Sequence, residues 1–258
     1  MREPSRALRA AVAAAVVLYA LPLVALVVRA FADEWRAPNL VPQQFGLRGV
    51  DALFSTTTRA GEALVQSLSV ALLTTAIAVP IAWTAARAIG ERRLRRPIPV
   101  FVLIALPILV PGYATGIGLS EWFVRLDLAD TRTGLVLAHL TVVLPYVVLV
   151  LAAGFGPKVS ELEEMGRSAG LAPWQRLGWV TLPAVRAQLA VACVIGFLVS
   201  WGQYGLSLAV GAGEPTLPGV LLPFLRRDQQ IAAAVCLVYL APAAVALLLA
   251  ARASRSPL

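Results

Sequence analysis

Most residues of this chain that could carry chemistry lie in one polar stretch. The segment Glu163–Pro183 reads EEMGRSAGLAPWQRLGWVTLP, carries acidic and basic side chains, and is interrupted by Gly170 and Pro173. The sequence on either side is almost continuously apolar and offers almost no acids, bases or nucleophiles, so a catalytic site is not indicated. The main question that the sequence raises is what a charged, helix-forming segment does in such a chain.

Two further polar features lie inside apolar runs. His139 is the only histidine, and no acidic residue shares its helix face in LVLAHLTVVLPYVV. It predicts either a hydrogen-bonded group between helices or a proton relay or solute contact, because ionisable groups inside membranes are often functional. A second cluster comprises Ser200, Trp201, Gln203, Tyr204 and Ser207. It predicts either an interfacial aromatic belt with polar contacts between helices or the lining of a translocation path for a polar or cationic solute.

Metal, disulfide, nucleotide and nucleic-acid sites are not indicated. Cys193 and Cys236 lie in apolar runs and form no CxxC or Cys/His pattern, so buried free thiols are expected. The sequence has no GxxxxGK[ST] loop, which excludes ATP binding by that device. The formal net charge is +8, but no basic patch is interleaved with aromatic residues, so nucleic acid is not an expected partner. We expect no cofactor.

The composition is that of an integral membrane protein. Of the 258 residues, 59% are hydrophobic and 14% are charged, with a mean hydropathy of +0.79, whereas soluble domains are about 45–50% apolar and about 25% charged. A helix needs about 20 apolar residues to cross the hydrocarbon. Six runs have that length: about 10–30, 63–86, 98–119, 134–155, 184–210 and 231–251. We therefore predict an all-α, polytopic membrane protein in which residues 1–258 form a single transmembrane domain.

Arginine residues set the expected orientation. Three segments on the same side of a six-span bundle are rich in arginine: the N-terminal end, the loop after the second run, and the C-terminal tail, which together contain Arg2, Arg6, Arg9, Arg87, Arg92, Arg93, Arg95, Arg96, Arg252 and Arg255. Cytoplasmic loops of membrane proteins collect Lys and Arg. We therefore predict a multi-pass protein of the plasma or inner membrane, with both termini and the segment 156–183 in the cytoplasm.

Local signals divide the polar segment into two short helices. Ser160, followed three residues later by Glu163, fits a capping box, and Glu163 can pair with Arg167 one turn further on. Gly170 suits the end of a helix, and Pro173 suits the first turn of the next. The pattern predicts helix, sharp turn and helix just before the fifth span.

The predicted hairpin has an apolar face and ends where Pro183 would mark the start of the fifth span. Met165, Ala169, Leu171 and Trp174 contribute to this face. Apolar side chains of this size are not left to water, so either a cytoplasmic partner or the chain's own helix ends must cover them. The spacing alone does not choose between these two interpretations.

The segment resembles the EAA loop of permease subunits in binding-protein-dependent ATP-binding cassette (ABC) importers, in the group that handles polyamines, thiamine and iron. That pattern is Glu-Ala-Ala, three residues, Gly, nine residues, an aliphatic residue, one residue and Leu-Pro. It is matched by Glu164, Gly170, Val180, Leu182 and Pro183. Met165 and Gly166 stand where two alanines are usual. The resemblance extends over most of the chain, including the six-span layout.

The resemblance implies a type I ABC importer permease-like bundle with a cytoplasmic coupling helix. The residues expected to contact the ATPase are Glu164, Arg167, Gly170, Leu171, Ala172, Pro173 and Trp174. The implied partners are a cytoplasmic ABC ATPase dimer, a second permease subunit (a copy or a sister chain), an extracytoplasmic solute-binding protein and the lipid bilayer. The chain itself is then not an enzyme. It forms half of a path for a small polar solute such as thiamine, a polyamine or iron.

Two other classes of protein compete with this interpretation. An ion-coupled secondary transporter or channel would usually need a carboxylate in the membrane, and no Asp or Glu lies deep within any run. A membrane enzyme or assembly factor is a further alternative, but no acid–base pair is visible for it.

Overall fold

The structure is a computed structural model that describes residues 6–92, 94 and 96–253. The protein is 78% helical. Among the described residues the elements are α1 (Arg6–Ala30), β1 (Ala32–Glu34), β2 (Gln44–Phe45), α2 (Arg48–Leu53), α3 (Ala60–Gly90), α4 (Pro97–Ala105), a 3-10 helix (Leu106–Leu109), α5 (Gly112–Arg125), α6 (Arg132–Ala152), α7 (Pro157–Ser168), α8 (Pro173–Arg176), a π-helix (Leu177–Thr181), α9 (Leu182–Trp201), α10 (Tyr204–Val210), α11 (Leu217–Arg227) and α12 (Gln229–Ala253). Of the arginines used above for orientation, Arg2, Arg93, Arg95 and Arg255 lie outside the described residues.

The helices confirm the all-α, multi-pass prediction. Within the described part of the chain, five helical stretches are long and apolar enough to cross a membrane: α1, α3, α6, the continuous stretch Pro173–Trp201, and α12. A bent pair, α4 with α5, makes a sixth if it is counted as one span. Lipid offers no hydrogen bonds to a polypeptide backbone, so helices satisfy their peptide groups internally.

The third predicted span, 98–119, is not one continuous helix. The helix is interrupted between Leu109 and Gly112, and its two halves are bent by 95° relative to each other. Pro107 and Pro111 account for the break, because proline lacks a backbone N–H and disfavours helical geometry in the residue before it. Val110, which precedes Pro111, is extended, with φ −89° and ψ 125°. The run is uniformly apolar, so composition alone gave no sign of this break.

The fifth predicted span starts close to its predicted bound, since α9 begins at Leu182, but Pro183 does not separate it from the helix before it. Helical structure is continuous from Pro173. The N–H of Leu182 bonds to the carbonyl of Leu177, five residues earlier, which makes one π-helical turn just before Pro183. This wider turn allows a residue without an N–H to follow without ending the helix.

The end of the same predicted span is wrong, because the membrane helix does not run to residue 210. α9 stops at Trp201, and α10 begins at Tyr204. Gln203 separates them with ψ 65°, outside the helical region. The run 184–210 is therefore a membrane helix followed by a short separate one.

The chain divides into two compact units, and the first comprises Met1–Leu64 with Val220–Ala241. Asp228 caps α12 in this unit, since its Oδ1 accepts the N–H groups of Gln230 at 3.1 Å and Ile231 at 3.2 Å. Arg48 also forms a hydrogen bond with Asp228, and this bond raises the pKa of Arg48. Burial opposes ionisation of Asp228, but the Arg48 hydrogen bond and the two N–H groups outweigh it and lower the pKa of Asp228.

The second unit comprises Val65–Gly219 with Pro242–Leu258 and is built around α6. The α6 residues Val143, Val147 and Leu151 are fully buried in one apolar cluster with residues of α3 and α9. Small residues let α5 and α10 approach closely, because a Cβ added at Gly116 would lie 2.5 Å from the Cβ of Ala209. This unit holds every residue singled out above as a candidate site.

Candidate functional site

Residues Pro157–Arg176 form two helices joined by a tight turn, named here the α7–α8 hairpin. Gly170 occupies the left-handed region, with φ +82°. Two hydrogen bonds close the end of α7: the Leu171 N–H donates to the Gly166 carbonyl, and the Gly170 N–H donates to the Arg167 carbonyl, both at 3.0 Å. This is a Schellman motif, in which glycine supplies the positive φ without steric cost.

The second helix starts as the sequence predicts. Ala172 is extended, with φ −63° and ψ 156°, and Pro173 occupies the first helical position. The Ala172 N–H donates to Oε1 of Gln175 at 2.8 Å, which fixes the start of α8. The capping box at Ser160 is wrong, because α7 already begins at Pro157 and Ser160 lies inside the helix.

The outward side of the hairpin carries the predicted contact residues. Met165 is 67% exposed and Trp174 is 69% exposed. Glu164 and Arg167 form an ion pair one turn apart, and both side chains are open to solvent. The structure thus places all seven predicted residues on the hairpin: Glu164 and Arg167 on α7, Gly170, Leu171 and Ala172 in the turn, and Pro173 and Trp174 on α8.

The inward side carries a polar network that the sequence did not predict. Glu163 was expected to pair with Arg167, and that prediction is wrong, because Glu163 points toward the ends of the long helices and forms an ion pair with Arg87 of α3. The Thr181 hydroxyl donates to Oε1 of Glu163 at 2.5 Å. Arg87 also pairs through Nε with Glu91 Oε1 at 2.7 Å. The Arg87–Glu163 contact joins residues 76 positions apart, and no local signal indicates it.

An open cleft of about 490 Å³ lies between the hairpin and the end of α3. Its lining is mostly polar and charged: Arg87, Ser160, Glu163, Glu164, Arg167, Pro173, Arg176, Leu177 and Thr181. The cleft places the exposed Glu164–Arg167 pair at its rim and the Glu163–Arg87 pair deeper inside. Across the part of the chain that the structure describes, no three His, Cys, Asp or Glu side chains come together as a metal site.

His139 forms a buried cluster with two serines, named here the His139 cluster (His139, Ser200 and Ser207). Its Nδ1 lies 2.8 Å from the Ser200 Oγ, and its Nε2 lies 3.2 Å from the Ser207 Oγ. Ser207 donates its own proton to the Gln203 carbonyl at 2.7 Å. Nε2 is therefore placed to donate to Ser207, while Nδ1 lies beside the Ser200 hydroxyl. The imidazole joins α6 to both α9 and α10.

The other two candidate path residues lie at the break between α9 and α10. Gln203 and Tyr204 are both half-buried. The Gln203 side chain lies against the start of α5, because a Cβ added at Gly112 would be 2.5 Å from its Oε1. Two helix breaks therefore meet at this point. The cavity beside the His139 cluster has a volume of about 10 Å³, room for about one water molecule and too little for a solute.

The chain is similar to known transport proteins along most of its length, although no family model matches it. It is 24% identical over 207 residues to the putative 2-aminoethylphosphonate transport system permease protein PhnV of Salmonella typhimurium, covering 79% of this chain and 76% of that protein. It is 28% identical over 261 residues to the molybdenum transport system permease protein ModB of Mycobacterium bovis, covering 95% and 92%. A bacterial ABC transporter involved in the import of the acidic polysaccharide alginate contains a chain of the same fold, with a TM-score of 0.71, 14% identity, and coverage of 98% and 99%.

The chain is an ABC importer permease subunit. Permease subunits of this kind work with an ATPase and with a solute-binding protein, and they are not enzymes themselves. This permease is also a multi-pass membrane protein. The relatives are named for different solutes, so they leave the transported solute open.

The His139 cluster gives a first testable prediction. We expect His139→Leu to lower the stability of the permease by about 1–3 kcal/mol, because it leaves the buried hydroxyl of Ser200 without its acceptor and that of Ser207 without its donor. The measurement is thermal unfolding of the purified permease in detergent. Thr141→Val on the same helix is the control, because the Thr141 hydroxyl bonds only to the Ala138 carbonyl of its own helix at 2.7 Å. Equal stability of the two variants would contradict the prediction.

Gly166 gives a second prediction, since it stands where the EAA pattern has alanine. A Cβ added there would lie 3.3 Å from Cδ1 of Leu171 and 3.4 Å from Cγ of Arg176, both atoms of flexible side chains. Alanine removes glycine's helix penalty of about 0.5–1 kcal/mol, so we expect Gly166→Ala to raise the melting temperature by about 1–2 °C. Gly166→Leu is the contrasting variant, because it overfills the site and should destabilise it. A lower melting temperature for the alanine variant would show that Leu171 and Arg176 cannot move aside.

Proposed function

We propose that the α7–α8 hairpin is the coupling element through which a cytoplasmic ATPase subunit drives this permease. The observation that carries the proposal is the two-sided character of the hairpin. Its outward side exposes Met165 and Trp174 beside a charged pair, while its inward side is tied to the long helices through Glu163. Exposed apolar groups framed by charges are typical of a protein interface. The resemblance to the EAA loop assigns the same segment to this role.

The proposed contact with the ATPase is made by seven residues of the hairpin: Glu164, Arg167, Gly170, Leu171, Ala172, Pro173 and Trp174. Trp174 supplies buried area when it docks, with the exposed Met165 beside it, and the charged pair at the rim sets orientation and partner choice. ATP closes a dimer of ATPase subunits, which brings two hairpins together. One chain supplies one hairpin, so a second permease subunit, either a copy or a sister chain, completes the importer.

The solute path is proposed to run beside the two helix breaks of the second unit. Discontinuous membrane helices commonly build solute sites, because their broken ends leave peptide groups free to bind. Gln203 and Tyr204 lie at one break, and Gly112 at the other. His139 and Ser200 support this region from the buried side, and we include both in the proposed path.

The proposed solute is small and polar and is delivered by an external binding protein. Two of the relatives are named for transport of 2-aminoethylphosphonate and molybdenum. The thiamine, polyamine or iron solute predicted from the family resemblance remains a prediction. A direct measurement is mass spectrometry of the solute that co-purifies with the solute-binding protein of this importer.

The orientation is proposed to place both termini and the hairpin in the cytoplasm of the cell. We expect Met165→Cys, in a background with Cys193→Ala and Cys236→Ala, to react with a membrane-impermeant maleimide in inverted vesicles and not in intact cells. Leu40→Cys is the matched control, because Leu40 is 92% exposed in the loop after α1 and should react only in intact cells. Labelling of the Met165→Cys protein in intact cells would overturn the orientation and the coupling proposal together.

A further inference from the structure

Glu163 differs from its neighbour Glu164 in both exposure and partners. The Glu163 side chain is 12% exposed, whereas that of Glu164 is 61% exposed. Glu164 pairs with a residue of its own helix, and Glu163 pairs with residues of two other elements. Both carboxylates line the cleft, but that of Glu164 is open to solvent and that of Glu163 is paired with residues at the ends of the membrane helices.

The contacts of Glu163 join α7 to two other elements. Arg87 lies in the last turn of α3 and forms an ion pair with one carboxylate oxygen, while Thr181 lies in the π-helix below α9 and donates to the other. Thr181 is 2% exposed, and the side chains of Glu163 and Arg87 are 12% and 31% exposed, so the junction is partly shielded from water at the wall of the cleft. Arg87 also pairs with Glu91 of its own helix, which holds the guanidinium group between two carboxylates. A hydrogen-bonded ion pair of this kind is stronger than one at the surface.

The hairpin is connected along the chain to α6 and α9 but not to α3. α7 follows α6 through residues 153–156, and α8 continues through the π-helix into α9. α3 is far away in sequence, and its polar contact with the hairpin is the Arg87–Glu163 ion pair. Val159 of α7 also lies in one buried apolar cluster with Ala82 and Ala86 of α3. A displacement of the hairpin would therefore reach α9 along the chain, and would reach α3 through this packing and through Glu163.

We propose that Glu163 is a positioning residue that transmits movement of the α7–α8 hairpin to α3 through Arg87 and to the base of α9 through Thr181. This inference rests on the proposed function. Glu163 itself does not touch the ATPase. It makes the hairpin and the ends of two membrane helices move as one body, so that force applied at the outward side changes the arrangement of the membrane helices.

The test uses the whole importer: this permease with its partner permease subunit, ATPase and binding protein, reconstituted in lipid. The readout is the rate of ATP hydrolysis with the binding protein divided by the rate without it. The binding protein is used with the solute that co-purifies with it. We expect Glu163→Gln to reduce this ratio by about fivefold or more, because interactions that couple two sites typically contribute factors of this size. The amide keeps a hydrogen bond with Thr181 and loses the charge that holds Arg87. Glu161→Gln, an exposed change on the same helix, should leave the ratio unchanged.

Changes at Arg87 test the same junction from its other side. Lysine keeps the charge but lacks the planar fork that reaches both carboxylates, so Arg87→Lys should have an intermediate ratio. Arg87→Gln should resemble Glu163→Gln, and the double variant should be no worse than either single one, because all three lose the same contact. A purely structural role would instead lower the amount of assembled importer and leave the ratio at its wild-type value.

Three outcomes would overturn the inference. The first is a wild-type ratio in both Glu163→Gln and Arg87→Gln, which would mean that movement passes along the chain and through the apolar packing alone. The second is a failure of both Glu163→Gln and Arg87→Lys to assemble with the ATPase, which would make the junction structural. The third is an absence of stimulation in the wild-type importer, which would overturn the proposed function and this inference with it.

Discussion

Gly170→Val is expected to reduce binding-protein-stimulated ATP hydrolysis of the importer about tenfold or more. Gly170 has φ +82°, and no atom lies within 4 Å of a Cβ added there. The obstacle is therefore the backbone and not space. A left-handed conformation costs an L-residue about 1–2 kcal/mol, and more when the side chain is β-branched. Each 1.4 kcal/mol changes an equilibrium about tenfold, so the valine variant should rarely form the turn that presents Trp174.

Gly170→Asn is the matched control for this prediction, because asparagine tolerates the left-handed region and is found at helix ends of this kind. It should retain most of the stimulated hydrolysis, although it introduces a larger polar side chain into the same open space. The comparison separates conformation from bulk. Full activity in both the valine and the asparagine variant would mean that the turn contributes nothing to coupling. Equal loss of activity in both would mean that the contact requires the bare backbone of glycine.

The fold was largely predictable because its main signal is composition. Runs of about 20 apolar residues identify membrane helices without any knowledge of packing. The errors occurred where a backbone event interrupts an apolar run. Pro107 and Pro111 bend the third span by 95°, while Pro183 is accommodated in a continuous helix by a π-helical turn. The same residue type thus gives opposite results, and the hydrogen bonds of the neighbouring turn decide which one occurs.

The site was predictable where its signals are local. Gly170 permits the left-handed conformation at a helix end, Pro173 fixes φ for a first helical turn, and the structure contains the turn that they predict. Glu163 could not be assigned in this way, because a glutamate three or four residues from an arginine always suggests a helical pair. Its actual partners lie in α3 and the π-helix, and only tertiary packing brings Arg87 and Thr181 close to it. The His139 cluster is a similar case, since its two serines come from α9 and α10.

Glu164→Arg is the second change with a large expected effect, on coupling and not on folding. The Glu164–Arg167 pair is mostly exposed to solvent, and pairs of this kind contribute about 0–1 kcal/mol to stability. The permease itself should therefore fold with nearly normal thermal stability. The substitution places a second cation beside Arg167 at the rim of a cleft that already contains Arg87 and Arg176. Like charges brought together at an interface cost several kcal/mol, so we expect stimulated ATP hydrolysis to fall at least about tenfold.

Glu161→Arg provides the control for this charge reversal. It makes the same change on the same exposed helix one turn earlier, at a residue that does not line the cleft. A general effect of added positive charge would impair both variants equally, whereas loss of a specific contact with the ATPase impairs only the Glu164 variant. Salt strengthens the distinction, because screening shortens the range of surface charges to about 8 Å at physiological ionic strength. Full stimulated activity of the Glu164→Arg importer would place the ATPase contact elsewhere on the permease.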